Sequence, residues 1–332
     1  YRAYVGDPID GGFSTESWGY AQSLMVADIA ALQQLYGANY GFRSSDTVYA
    51  WDPDSGELFV NGAGQGAPGA NRVFQTLWDG GGRDLLDLTL YDGGVTVDLA
   101  PGGGARLSTE QLSWLNRLEV ADPIYASANV YFAGLFAGDR RALIEDVRTG
   151  DGADLLTGNI AANLLVGGGG GDHVSGMGGR DRLFGGFGDD TLMGGGARDR
   201  LLGQAGADKI IGGQGIDFIR GGGGDDTLSG QHGADRIWAG GGDDRIEGGL
   251  GRDLIRGGGG ADVFFFSRGD GADRITDFSI DDDRLDLSAV ADGMRDLSIH
   301  DGVAGALIEA GNISILLSGT DADMLVADHF IF

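Results

Sequence analysis

From Thr149 to Phe265 the chain repeats one nine-residue phrase thirteen times without a change of register. The eighth position is apolar every time: Leu156, Leu165, Val174, Leu183, Leu192, Leu201, Ile210, Ile219, Leu228, Ile237, Ile246, Ile255 and Phe264. The sixth is Asp154, Asp172, Asp181, Asp190, Asp199, Asp208, Asp217, Asp226, Asp235, Asp244, Asp253 and Asp262, broken only by Asn163. A nine-residue period fits neither a helix of 3.6 nor an alternating strand, and marks a solenoid of one short strand and one turn per repeat. Six residues turn and three extend, so two repeats complete a coil. Turns n and n+2 then stack on the same side, with strands about 4.8 Å apart. Glycines at positions two and four, such as Gly168 with Gly170 or Gly222 with Gly224, permit left-handed backbone that a Cβ would penalise.

A stack of aspartates repels itself unless cations sit within it. The consensus G-G-x-G-x-D-x-U-x is that of a calcium-binding parallel β-roll. Calcium takes six to eight oxygens, and two stacked turns offer backbone carbonyls with one carboxylate each, so a site lies between turns. Thirteen turns split into stacks of seven and six, which leaves about eleven gaps at most, fewer if Asn163 or the end turns fail. One buried side chain per repeat is a thin core, so folding is expected to require the metal, at about 10⁻⁴ to 10⁻³ M as in extracellular calcium modules.

Competing explanations of 66 glycines fail on spacing. Collagen needs a period of three with many prolines, whereas this chain has five, the last at Pro123. A phosphate loop needs a lysine in frame, and the single lysine, Lys209, follows Asp208 in none. The formal charge is −27, with seven glutamates among the 50 acidic residues. So strong a preference for the shorter acid suits metal ligation and turns, and the charge argues against nucleic acid or anionic membrane as partner. There is no cysteine, so no disulfide framework. No apolar run is long enough to span a membrane, and the residues from Tyr1 do not read as a signal peptide.

Outside the array, Leu24 to Asn39 carries apolar residues at 25, 29, 32 and 36 ahead of Gly37, an amphipathic helix with a glycine stop. Its phrase Asp-Ile-Ala-Ala-Leu-Gln-Gln-Leu-Tyr-Gly-Ala-Asn closely resembles the last helix of the catalytic domain in serralysin-like zinc metalloproteases, secreted metzincins bearing RTX calcium-binding repeats. The resemblance continues through residues 46–51, 78–87, 143–145, 273–278 and 284–288. It implies a mostly β protein: a parallel β-roll with flanking β-sandwich-like strands and one N-terminal helix at about 20–37. The expected divisions are a catalytic-domain remnant at 1–40, a linker and first part of the roll at 41–148, the repeats at 149–265, and a cap with type I secretion signal at 266–332. The resemblance also implies two further calcium sites, one using carbonyls of Arg43, Ser45 and Thr47 with Asp79, Gly81 and Asp84. The other shares Asp84 and adds Glu145 and the Leu143 carbonyl. Residues 79–87 fit the nonapeptide frame in their own right, with Asp84 sixth and Leu86 eighth.

The chain departs from that family in its zinc chemistry. H-E-x-x-H-x-x-G-x-x-H is absent, and His173, His232, His300 and His329 lie far apart. Tyr1 resembles the zinc-associated tyrosine of the methionine turn, which puts zinc and the histidines in a part of the parent protein outside this sequence. A catalytic-domain chain docked on residues 1–40 would then be a partner, beside the secretion transporter and protein or peptide substrates of the parent. The ending Asp328 to Phe332 resembles an uncleaved secretion signal, implying an extracellular bacterial protein. Two smaller expectations concern packing. Ser108 should cap a short helix through Leu112, Leu115 and Leu118. Apolar ninth positions at Val166, Phe184, Met193, Leu202 and Ile211 should be covered by residues 41–146 or by the cap after Ser267.

Two functional classes remain open: the calcium-folded module of a secreted zinc endopeptidase, and a non-enzymatic calcium-roll protein such as an adhesin or surface-layer component. The protease-like helix favours the first. A lipase or epimerase with the same roll would need its own catalytic domain, and no G-x-S-x-G occurs.

Overall fold

A computed structural model describes residues 26–68, 71–112 and 126–332. These fall into two compact units, one through Gly168 and one from Gly169. The protein is mostly β, with parallel strands one coil apart as the nine-residue period requires. In the second unit Arg182–Phe187 pairs with Arg200–Ala205, then Phe218–Gly223, Arg236–Gly241 and Leu254–Gly259. The intervening repeats form the other sheet: His173–Ser175, Thr191–Gly196, Lys209–Gln214, Thr227–Gly233, Arg245–Glu247 and Val263–Phe265. Eighth-position residues stand in register, as Leu183 on Leu201 on Ile219 on Ile237 on Ile255, and all thirteen are buried. The core is therefore two rows of apolar side chains, aliphatic except for Phe264, one from each sheet.

The cap ends both sheets of this unit by adding strands. Ala272–Ile275 continues the first sheet, Ile313–Ser318 lies parallel to it, and Gly305–Ala310 and Ser298–Gly302 complete an antiparallel meander. Arg284–Asp286 continues the other and pairs with Phe330–Ile331. The C-terminal residues thus form a terminal strand with Phe330 buried.

The first unit builds the same coils from segments distant in sequence. Val48–Trp51, Leu85–Leu88, Asp146–Thr149 and Leu164–Gly169 run parallel, stacking Leu86 on Val147 on Leu165. Thr96–Asp98 pairs with Leu155–Thr157, and antiparallel Gly104–Arg106 and parallel Gln75–Leu77 join through Val130–Phe132. Helix α1, Val26–Tyr36, stops at Gly37, whose φ of 80° and N–H bond to the Gln33 carbonyl make a left-handed cap. Its expected start near residue 20 lies outside the described residues. The apolar stripe is not its buried side: Gln33 is buried, whereas Leu32 and Tyr36 of the stripe are 43% and 83% exposed.

Two packing expectations need correction. Ser108 Oγ accepts from Gln111 N–H, but Leu112 bridges Val73 as β structure, so no helix passes through it. Residues 113–125 lie outside the described residues. The apolar ninth positions stay half-buried at Val166, Phe184, Leu202 and Ile211 and exposed at Met193. Phe184 abuts Leu202 and Met193 abuts Ile211, so stacking in rows provides the shelter that an overlying segment was expected to give.

Glycines at positions two and four run at φ of 101° to 147° through the second-unit turns from Gly186 to Gly242, whereas Met177, Ala197, Gln204 and Gln231 at equivalent positions hold 68° to 88°. A Cβ on Gly222 would collide with the Gln204 carbonyl of the preceding coil, whereas Gly223 has open space and an ordinary φ. Gly222→Ala should therefore cost about 3 kcal/mol or more and Gly223→Ala under about 1. Melting in saturating calcium checks this: equal losses at both positions would contradict the assigned turn geometry.

Candidate metal centre

The sixth-position aspartates form a hydrogen-bonded ladder along each stack. The backbone N–H of each donates to Oδ1 of the aspartate one coil later: Asp172 to Asp190, Asp181 to Asp199, Asp190 to Asp208, Asp199 to Asp217, Asp208 to Asp226 and Asp217 to Asp235, at 2.7–2.9 Å. Asp226 to Asp244, Asp235 to Asp253 and Asp244 to Asp262 extend it at 2.7–3.0 Å. The same Oδ1 fixes both chain register and carboxylate rotamer.

The other oxygen is left over. Oδ2 of Asp190, Asp199, Asp208, Asp217, Asp226, Asp235, Asp244, Asp253 and Asp262 is buried without a hydrogen-bond partner. A buried anionic oxygen without a partner costs several kcal/mol unless it protonates or finds a cation. Burial first, and neighbouring aspartates beside it, push Asp190 and Asp208 up to about 6 and Asp226, Asp235 and Asp244 to about 7, against the bond each accepts. Asp199 and Asp262 rise likewise, to about 6 and 7.

First-position glycines make room for what Oδ2 lacks. A Cβ on Gly212 would stand 2.7 Å from Asp217 Oδ2 and 2.9 Å from the Gly230 carbonyl, and one on Gly194 would stand 2.7 Å from Asp199 Oδ2 and 2.5 Å from the Gly212 carbonyl. Carboxylate and carbonyl oxygens thus face a cradle that any other residue would fill. Among the described residues no three His, Cys, Asp or Glu side chains gather around one point, so a cation here draws on carbonyls as well as carboxylates. All-oxygen donors of mixed kind are calcium chemistry, and the residues present fit that ion.

Of the residues expected to form a site in the first unit, Thr47 and Glu145 contact Asp84 directly. Its Oδ1 accepts from Thr47 N–H at 2.9 Å, its N–H donates to Glu145 Oε2 at 2.9 Å, and its Oδ2 is buried and orphaned. Asp79, also buried, accepts from Gly81 N–H at 3.0 Å and from the Tyr49 hydroxyl at 2.5 Å. Burial, with Asp79 and Glu145 adding repulsion, raises Asp84, and burial raises Glu145 to about 7. Gly82 lies against the Ser45 carbonyl and Gly80 against that of Phe42, which brings the 42–45 backbone to the acids. Arg43 adopts φ 47° and donates to the Tyr49 hydroxyl, and Leu143 is buried beside Glu145. Tyr1 lies outside the described residues.

Asp154 is buried and accepts from Val95 N–H at 2.7 Å. Asn163 replaces charge with an amide: its Oδ1 accepts from Asn159 N–H and its Nδ2 donates to the Glu145 carbonyl. Three features escaped the sequence reading. The ladder runs on into the cap, Asp253 to Asp273 and Asp262 to Asp283, across 20 and 21 residues instead of 18. Fifth-position Asp189, Asp225 and Asp243 form an outer ladder of opposite sense, accepting from the following coil. Asp146 receives Leu164 N–H and a bidentate pair from Arg83. For the cap, recurring Asp-x-apolar triplets at Asp273 and Asp283 were the available signal.

The family model for the RTX calcium-binding nonapeptide repeat matches between residues 144 and 272, in overlapping stretches from 144–174 to 238–272. Metallopeptidase AprA of Pseudomonas marginalis is 32% identical over 146 residues, 44% of this chain and 25% of that protein. Serralysin of Photorhabdus luminescens is 33% identical over 146 residues with the same shares, and serralysin G of Dickeya chrysanthemi 32% over 138, covering 42% and 24%. The chain spans about a quarter of the length of the curated relatives it matches. Repeat, fold and ladder together define a calcium-binding β-roll of RTX type. That roll is related to the serralysin metalloproteases, and the chain is serralysin-like over this C-terminal region, as the sequence resemblance implied.

A carboxylate raised above its unfolded value of about 4 favours the fold fully below that value and loses its contribution as pH rises through the folded value of 6–7. Above pH 7 the metal-free roll is therefore at its weakest, and below pH 7 protons compete with calcium. The half-saturating calcium concentration should rise about tenfold or more between pH 7.5 and 6. Calcium titrations followed by circular dichroism across that range test it; a midpoint indifferent to pH would be inconsistent with buried carboxylates as ligands.

Proposed function

We propose that this chain is the calcium-folded module of a secreted serralysin-like zinc endopeptidase, serving calcium-triggered folding, stabilisation and type I export of its parent. The observation that carries this reading is the row of buried Oδ2 atoms without a hydrogen-bond partner, from Asp190 to Asp262. Asp172, Asp181, Asp190, Asp199, Asp208, Asp217, Asp226, Asp235, Asp244, Asp253 and Asp262 would hold calcium between stacked turns, with Asp154 in the first unit. Asp79, Asp84, Glu145 and the carbonyls of Arg43, Ser45, Thr47, Gly81 and Leu143 would hold it near the start of the roll. Calcium supplies compensating charge that makes the folded carboxylates affordable only where calcium is plentiful.

Zinc has no seat among the described residues: His173, His232 and His300 are exposed, and His329 is buried with Nδ1 accepting from Val326 N–H. Catalysis in this reading belongs to the remainder of the parent, for which the exposed Leu35 and Tyr36 of α1 offer a docking surface. The alternative, a non-enzymatic secreted calcium-roll protein, gains nothing from a protease-like helix. Export in the unfolded state fits the terminal strand: Phe330, buried once it pairs with Leu285, is available to a transporter only before folding.

Circular dichroism should show a cooperative gain of β signal on calcium addition and its loss in EGTA. A roll equally ordered in EGTA would sink the proposal. Asp217→Ala should raise the midpoint severalfold, and Asp199→Ala with Asp217→Ala, which empties one gap of both carboxylates, should raise it by more than the product of the single effects. Removing residues 328–332 should hold the protein inside the cell while the purified chain still folds with calcium, its cap loosened. Unimpaired export would reassign this strand to a purely structural role.

A further inference from the structure

The two outer faces of the second unit differ in charge. On the sheet that begins with Arg182–Phe187, the outward seventh and ninth positions hold Arg182, Arg200, Arg220, Arg236, Arg256 and Arg274, with no acid in either row. The other sheet mixes Lys209, Arg245 and Arg284 with Glu247 and Asp286. In a chain of charge −27, outward rows with six arginines and no acid are a selective feature, Asp277 beside them pairing with Arg256 alone. Register sets Arg182 directly beside Arg200, a repulsive cross-strand pair. Of the four ion pairs among the described residues, only Arg256 with Asp277 involves this face.

Aromatic rings are set among these arginines. Trp238, 41% exposed, lies in one row between Arg220 and Arg256 and meets Phe218 edge to face at 4.8 Å; Arg200 lies over the Phe218 ring at 5.1 Å. Trp238, Arg220, Arg256, Gly222, Gly240 and Gly258 line a groove of about 410 Å³ with a glycine floor. A half-open indole held by a second ring is a platform for the C–H face of a pyranose, and flanking guanidiniums pair bidentately with carboxylates. Successive strands about 4.8 Å apart present these groups at roughly one per sugar unit of an extended chain.

We propose that this groove binds an anionic polysaccharide carrying carboxylates, a uronate polymer, with its sugar on Trp238 and its carboxylates on Arg220 and Arg256. An acidic peptide would use the arginines without the ring, and a second copy of this chain would bring its own acidic turns; both are outcomes of the test.

The calcium-loaded chain is titrated by calorimetry with two uronate probes too short to gel, hyaluronan oligosaccharides and trigalacturonate, and with dextran oligosaccharides and polyglutamate as controls. Sedimentation runs in parallel. Binding of at least one uronate probe, absent with dextran and weaker with polyglutamate, is expected. Trp238→Ala and the pair Arg220→Gln with Arg256→Gln should each weaken it about tenfold or more, with the calcium midpoint unchanged. Because the two variants alter different side chains, a folding defect in one leaves the other decisive. Absence of uronate binding, polyglutamate binding as tight, or indifference to Trp238→Ala would overturn the proposal. So would self-association abolished by either variant without sugar binding. The calcium-dependent folding test is separate, so failure here leaves that reading standing.

Discussion

Everything in the roll depends on the division of labour between the two oxygens of one buried carboxylate. Oδ1 takes the N–H of the preceding coil and fixes register, while Oδ2 is held in the interior with no proton donor. Backbone order and demand for a cation therefore arise together: the turn cannot close without burying the charge. Because a rung joins only adjacent coils of one stack, coupling is nearest-neighbour, as in other solenoids. A cation in one gap would order the turns that form the next, so that folding would propagate along the stack.

That constraint accounts for what could be read in advance. A strict period with one apolar and one acidic residue left the coil, the stacking of turns n and n+2 and the buried eighth-position rows no alternative, and Gly222 and Gly224 have the left-handed angles assigned to them. Legibility stopped where the period stopped. The first unit makes equivalent coils from Leu85–Leu88 and Asp146–Thr149, 61 residues apart, and the hydrogen bond from Asp84 N–H to Glu145 has no local signature. Here spacing reached Asp84 through the nonapeptide frame of residues 79–87, whereas Glu145 entered only through the family resemblance. In the cap, two or three additional residues per coil carried Asp273 and Asp283 out of frame while their side chains kept the ladder geometry.

Other departures have local causes. Helix α1 shows an apolar periodicity whose exposed members have no cover among the described residues, so periodicity identified the helix but not its buried side. The half-buried ninth positions were misread because a single exposed apolar residue per repeat suggests a missing neighbour. In a stacked array that neighbour is the same position one coil away, as Phe184 against Leu202 demonstrates. Likewise the apolar ending that resembles a secretion signal is also an edge strand, through two backbone pairings to Leu285 and Asp286.

Stacking by position also segregates charge. A nine-residue repeat places like residues in rows, so acids accumulate along the turns and arginines along one strand face instead of mixing. The two rows meet opposite fates. Aspartate is short, its carboxylate is buried at the turn, and small cations between coils can neutralise it from inside. Arginine is long, its guanidinium stands outside the sheet, and no ion within the roll can reach it. Calcium occupancy would remove much of the negative charge while leaving the arginines untouched, so the face around Trp238 becomes more cationic relative to its surroundings as the protein folds. In this reading folding and recognition would be coupled through electrostatics alone, with no moving part: the ion proposed to order the turns would also unmask the field of the opposite charge.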